Sequence, residues 1–248
     1  MKIINSHSHL GNSRLADVTY TEAMLIESQE KWGVDVTIVL PIPKSPAGTV
    51  AAHDQIYRLC QDKPGRFFGI LDIDPSIDDE TYWKEAERCV KELGFVGVKL
   101  HTYYHPCNPL TRFTDKVYEM AKHFRIPVIV HTGLIVPFGL PSLQIQRARQ
   151  FPDVKIILAH MGYNAYTAEA IIAAQVCENI FLETSWTGPG RVKEAIKTLG
   201  SERVMMGADQ LINVPWELTK IRTIGLNDTQ LEDCLARTAI KVFQLPVG

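Results

Sequence analysis

Short apolar runs recur along the chain, each followed by a longer stretch of helical period. They read "KIIN" at 2–5, "VTIVLP" at 36–41, "FFGILDI" at 67–73, "FVGVKLH" at 95–101, "IPVIVHT" at 126–132, "VKIILAH" at 154–160, "NIFLET" at 179–184 and "RVMMGAD" at 203–209. The runs are rich in Val and Ile and mostly continuous, as strands buried on both faces are. Between them lie "YTEAMLIESQEKWG", "DDETYWKEAERCVKELG", "LTRFTDKVYEMAKHF", "LPSLQIQRARQFP" and "YTAEAIIAAQVCEN". In the second of these, Tyr82, Ala86, Cys89, Val90 and Leu93 recur at spacings of three and four, which predicts a buried stripe and leaves Lys84, Glu85, Arg88 and Lys91 for solvent. Eight strand–helix units predict an α/β protein with a parallel sheet and one outer layer of helices. An open doubly wound sheet shares this local rhythm. Units of roughly thirty residues favour a single (β/α)₈ TIM barrel, with 1–248 as one domain. Two further helical segments, "VPWELTKIRTIG" and "NDTQLEDCLARTAIKVFQL", can cover the end of the circuit.

The polar residues gather at one end of these strands. His7 and His9 close the first, Lys99 and His101 the fourth, His131 the fifth, His160 the sixth, Glu183 the seventh and Asp209 the eighth. In a barrel all those ends meet at the catalytic face. His7 and His9 stand one residue apart, and a strand's period of two turns both imidazoles to the same side. An isolated pair of this kind is equally at home in a surface loop, so the rest of the pattern carries the argument. His53 reads as a structural residue that starts or flanks the second helix, with a substrate-facing loop as the lesser alternative, and His123 as a solvated or capping residue near a helix end.

Composition narrows the partners. Lys plus Arg number 26 against 28 Asp plus Glu, for a formal charge of -2, with no long run of either sign. That speaks against nucleic acid or an anionic membrane. No segment approaches the apolar length of a membrane span. The start "MKIINSHSH" has no basic region followed by an apolar stretch. Five widely spaced cysteines without a CxxC pair fit reduced thiols. The expectation is a cytoplasmic protein acting on a small molecule.

Neutral imidazoles and a carboxylate suit zinc, manganese or iron. His7, His9 and His131 can supply nitrogen and Asp209 an anionic oxygen, leaving a position for water. A bound water made more acidic would serve hydrolysis, with Asp209 coordinating the ion or accepting the proton. His160 fits the orientation of that water or the stabilisation of a substrate oxygen. Zinc is the first choice and manganese the second, for one divalent ion, with a second ion left open. Lys99 stands as a structural ion pair, a partner of Glu183, a carboxylate binder or a carboxylated bridging ligand. His101 would stand behind the ligands.

Taken in order, "NSHSHLG", "GVKLH", "VIVHTG", "IILAHMG" and "VMMGAD" resemble the amidohydrolase superfamily. Within it they resemble the amidohydrolase-related group of metal-dependent hydrolases and non-oxidative decarboxylases. The likeness spans nearly the whole chain. It implies a metal at the C-terminal face on His7, His9, His131 and Asp209, with His160 beside the water or substrate. One departure is Asn5, where members of the group often carry an acidic residue before the histidine pair. Family habit also implies a homo-oligomer.

The ligand set serves two reactions. Hydrolysis of a lactone, ester or amide leads, because the site can generate hydroxide without a dedicated carboxylate pocket. Decarboxylation of a small aromatic or unsaturated acid, a lyase reaction, is the alternative. A non-catalytic barrel used for binding or as a scaffold is the alternative from another class. The loops supply Tyr103, Tyr104, His105 and Arg112 after the fourth strand, Phe138 after the fifth, and Trp186 and Arg191 after the seventh as candidate substrate contacts.

Overall fold

The computed structural model describes residues 1–13, 17–105, 107–133 and 138–247. All eight apolar runs form strands. In chain order the strands are β1 (Ile4–Ser13), β2 (Val18–Tyr20), β3 (Val36–Pro41), β4 (Phe67–Gly69), β5 (Leu71–Asp72), β6 (Val98–Leu100), β7 (Val128–His131), β8 (Ile156–Ala159), β9 (Ile180–Glu183) and β10 (Val204–Met205). β1 pairs in parallel with β3, and β3 with β4. From β5 to β10 each strand pairs in parallel with the next.

Two junctions complete the circuit. Around Ile70 the third run changes partners: Ile70 N–H donates to Val39 O at 2.9 Å, and Leu71 N–H donates to Gly97 O at 3.1 Å, so β4 and β5 act as one interrupted strand. On the far side Ser6 N–H donates to Met206 O at 3.0 Å, Asp209 N–H donates to His7 O at 2.7 Å, and Ser8 bridges Asp209 in parallel. The sheet is therefore closed, as expected for the barrel. β2 is an addition, paired antiparallel with the overrun of β1.

A one-residue bulge in β1 sets the direction of the histidines. Ile4 pairs with Val36 and Asn5 with Thr37, but Ser8 pairs with Val39 and His9 with Leu40, so β1 uses one residue more than β3 between those points. Such an insertion reverses the alternation of faces. Ile4 can then point into the barrel at one end while His7 and His9 point into it at the other. Ile4, Ile38, Ile70, Ile129, Ile157, Phe181 and Met205 fill the lower interior, closed from below by Ala236, Ala239, Val242 and Phe243 of the C-terminal helical segment. A packed floor of this kind excludes water from below and sets the polar layer above it.

The outer helices occupy the stretches read from their period. The helix Asp79–Lys91 starts at Asp78, whose carboxylate accepts from Thr81 N–H at 2.8 Å, and buries Tyr82, Ala86 and Cys89. Glu85 departs from expectation. It is buried, because its Oε1 accepts from His53 Nδ1 at 2.7 Å and its other contacts go to Arg88 and the Cys89 thiol. His53 is likewise no flanking residue but lies within the helix Thr49–Asp62, fully buried. Among the described residues no helix is long and apolar enough to cross a membrane.

Candidate metal centre

β1 and β9 deliver the central contact. His7 Nδ1 lies 2.9 Å from Glu183 Oε2, and both side chains are fully buried. A carboxylate only accepts, so the Nδ1 proton of His7 is the donor and Nε2 keeps a bare lone pair. His9 is set in the same way: its Nδ1 donates to the carbonyl of Pro41 at 3.1 Å. The unprotonated Nε2 atoms of His7, which Lys99 Nζ approaches to 3.3 Å, and of His9 then face Asp209 Oδ1 at 3.5 and 3.2 Å. Lone pairs turned on an anionic oxygen repel one another, and a cation among them removes the repulsion. The donor set therefore fits a divalent metal.

His160 follows β8 with φ +65°, in a left-handed stretch that continues through Met161 and Gly162. Its N–H donates to Glu183 Oε2 at 3.1 Å, and Thr187 Oγ1 donates to its carbonyl at 2.7 Å, which holds the unusual backbone in place. Ser185 Oγ donates to Glu183 Oε2 at 2.8 Å and so accepts from His160 Nδ1 at 2.7 Å. Glu183 thus serves His7, Ser185 and the His160 backbone at once. His7, His160 and Asp209 each offer a ligand atom within 4.8 Å of the others. That tightest group includes His160, read from the sequence as a neighbour of water or substrate, and does not include His9 or His131.

His131 stacks on His101 with ring centroids 4.6 Å apart and meets His160 edge-on at 5.0 Å. Its Nδ1 is buried with no hydrogen-bond partner among the described residues. Lys99 is buried beside His7, its Nζ 3.3 Å from Nε2. Burial pushes the lysine down, against the pull of the carboxylates Asp209, Asp72 and Glu183. Burial and then Lys99 hold His7 well below the usual imidazole range, and burial brings His160 to about 3. Both are neutral at pH 7, the form that binds a metal. Burial alone would raise the Asp209 carboxyl, but its contacts with His9, His160 and His7 outweigh burial and hold the group well below the carboxylate range.

Beside this cluster opens a cavity of about 240 Å³ walled by Tyr20, Tyr103, Tyr104 and Tyr163, with His9, His101, His131, His160 and Asp209 at its base. Tyr103 and Tyr104 were legible as loop aromatics. Tyr20, from the β2 addition, and Tyr163, after "HMG", were not singled out. Several expected substrate contacts lie elsewhere. His105 is buried between Asp72 Oδ1, 3.1 Å from its Nε2, and Asp74 Oδ2, 3.3 Å from its Nδ1. Arg191 is an exposed partner of Glu194 at 2.8 Å. Arg112 is exposed at the start of its helix, and neither it nor Phe138 lines the cavity. The loop residues 134–137 lie outside the described residues. Trp186 stands at the rim and touches Asp209 rather than the cavity.

A second cluster, His53, Glu85 and Cys89, has metal-like composition. Its hydrogen bonds are already taken. His53 Nε2 accepts from Asp72 N–H at 3.1 Å while Nδ1 donates to Glu85, which ties the helix Thr49–Asp62 to the end of β5.

Curated relatives include the gamma-resorcylate decarboxylase of Rhodococcus jostii (strain RHA1), 25% identical over an alignment of 215 positions, with 64% of this chain and 64% of that one covered. This chain thus spans just under two thirds of that relative's length. Among solved structures, the dihydroxybenzoic acid decarboxylase of Polaromonas sp. JS666 with bound manganese and 2-nitroresorcinol aligns at a TM-score of 0.77 and 16% identity, covering 100% of this chain and 98% of that one. The 5-carboxyvanillate decarboxylase of Novosphingobium aromaticivorans, complexed with manganese and 4-hydroxy-3-methoxy-5-nitrobenzoic acid, aligns at 0.78 and 16% identity, covering 98% and 96%. These findings correct the expected order of reactions: these three similar proteins are decarboxylases of aromatic acids, and hydrolysis of a lactone, ester or amide as the leading reading does not stand. The two solved structures hold manganese, where zinc was the first expectation for this chain. The family profile described as amidohydrolase matches residues 34–245. With its closed barrel, its histidine pair on β1 and its aspartate after β10, the chain belongs to the amidohydrolase family.

Proposed function

We propose that this protein is a non-oxidative decarboxylase of a small aromatic acid, working with one divalent metal, manganese. The observation that carries this reading is the tyrosine-walled cavity set directly against the histidine and aspartate cluster. Its volume is below the roughly 300–1,000 Å³ of sites for drug-sized ligands, which suits one ring. The similarity to decarboxylases of aromatic acids supports the same choice.

His7, His9, His131 and Asp209 would hold the ion, with His160 adjacent. When bound, the metal would neutralise the substrate's carboxylate and a neighbouring oxygen and draw electron density from the ring. The tyrosines stack on the ring and orient it, and water is excluded from its face. A proton is added to the ring carbon that bears the carboxylate. The bond from that carbon to the carboxylate carbon then breaks, its electron pair restores the aromatic ring, and carbon dioxide leaves. Asp209, at the cavity floor, takes a proton from solvent water onto its carboxylate and passes it to that carbon, returning to the ionised form. His160, neutral and fixed by Ser185, hydrogen-bonds the substrate. Residues 1–248 act in this reading as one domain on a small molecule, and sedimentation tests the homo-oligomer implied by family habit.

The test is a panel of hydroxybenzoic acids incubated with manganese-loaded protein in D₂O. Expected are stoichiometric carbon dioxide and one deuterium on the former carboxyl-bearing carbon. No carbon dioxide from any aromatic acid in the panel would sink the proposal.

A further inference from the structure

The turn after β9 joins two strained residues. Thr187 N–H donates to Thr184 O at 3.2 Å, which closes the turn over Ser185 and Trp186, and Trp186 takes φ +63°. A left-handed backbone is unfavourable at an aromatic residue and persists only where its surroundings hold it. Here they do. Lys220 Nζ donates to the carbonyls of Thr184 and Thr187, each at 2.8 Å. Trp186 N–H donates to Glu217 Oε1 at 3.3 Å, and Ser185 N–H donates to Glu183 Oε1 at 2.6 Å.

The consequence of this backbone is the aim of the indole. Trp186 Nε1–H donates to Asp209 Oδ2 at 2.7 Å, and Asp209 is itself left-handed, with φ +62°. Oδ1 of the same carboxylate faces the unprotonated Nε2 atoms of His9 and His7. An indole offers one donor and no acceptor, so it cannot compete for a cation. A rim carboxylate without this contact would be free to rotate and to share both oxygens with solvent.

We infer that Trp186 is a positioning residue that fixes the rotation of the Asp209 carboxylate, reserving Oδ2 for the indole and Oδ1 for the metal. The inference rests on the reading of Asp209 as a ligand. It makes Trp186, read from the sequence as a substrate contact, a residue that acts on the ion through its ligand.

Trp186→Phe keeps the aromatic surface and removes the donor. Its dissociation constant for manganese, followed by loss of the free-ion paramagnetic resonance signal, is expected to rise roughly 10–100-fold, with the unfolding midpoint of the metal-free protein nearly unchanged. Trp186→His, which restores an N–H donor, is expected to recover part of the affinity. A readout without metal accompanies these. The indole N–H resonance of Trp186, identified by elimination with Trp32→Phe, Trp83→Phe and Trp216→Phe, is expected to move in Asp209→Ala, and this holds even where Trp186→Phe does not fold. Manganese bound equally by wild type and Trp186→Phe, or an indole resonance indifferent to Asp209→Ala, overturns the inference. A wild-type protein that binds no manganese sinks the metal reading and the inference with it. Manganese binding that depends on Trp186 without any decarboxylation supports the inference and removes only the proposed reaction.

Discussion

Glu183 accepts the Nδ1 proton of His7 at 2.9 Å, across a sequence separation of 176 residues and with both side chains fully buried. This contact settles which nitrogen of His7 is free. It also supplies from β9 the carboxylate that Asn5 does not supply on β1, where the Asn5 side chain instead accepts from His7 N–H and Ala208 N–H. Glu183→Gln keeps the shape but turns an amide donor toward groups that are themselves donors. The expected outcome is a loss of about 2 kcal/mol in stability and a roughly 10–100-fold weaker manganese affinity. Urea unfolding and metal titration check the two, and unchanged affinity would remove Glu183 from this role.

Gly207 is required by the same carboxylate. A Cβ at this position would stand 2.4 Å from Glu183 Oε1, and Glu183 is held in place by His7, Ser185 and the His160 backbone. Gly207→Ala is expected to destabilise the fold by about 1–3 kcal/mol and to weaken manganese binding along with it. A variant with wild-type unfolding midpoint and wild-type affinity would mean that Glu183 moves aside at little cost.

His105 makes stability depend on pH. Burial alone would lower it, but Asp72 and then Asp74 outweigh burial and raise it above the usual imidazole value of 6.5. A histidine whose folded value is raised contributes stability fully present below its unfolded value and lost as pH rises through the folded one. The difference in unfolding midpoint between wild type and His105→Gln is therefore expected to be largest below pH 6.5 and to shrink above it. A difference constant from pH 5 to pH 9 would show that His105 does not carry this charge.

Manganese is expected to stabilise the folded protein. At a free concentration 100 times Kd, binding to the native state alone contributes about 2.7 kcal/mol, which for a chain of this length raises Tm by roughly 5–10 °C. A chelator should return Tm to its starting value, and His7→Ala combined with His9→Ala should abolish the shift. The same shift in the double variant would place the ion elsewhere.

Much of this was legible along the chain. Continuous apolar runs at regular intervals predict buried parallel strands, because only strands covered on both faces lose their alternation, and all eight appear. The ends of those runs carry the polar residues, and barrel closure brings His7, His9, His131, His160 and Asp209 to one mouth. Glu85 and the position of His53 misled because a helical period assigns a face without knowing its neighbour: each is buried against the other, through a hydrogen bond between two helices. Arg191 and His105 misled because a loop residue beside a strand end has no direction until the loop has a shape.

The sequence by itself determined the barrel, the end at which its polar residues gather and the family, since each follows from local period and from residue order. Tertiary structure alone decided how those residues serve one another. A bulge in β1 turns Ile4 and the two histidines toward the same axis, Glu183 selects the free nitrogen of His7, and a left-handed turn aims the Trp186 indole at Asp209. These are relations between groups far apart in the chain, where a shift of one residue in register or one rotamer exchanges a contact for none. The spacing of residues along a sequence carries no information on that scale.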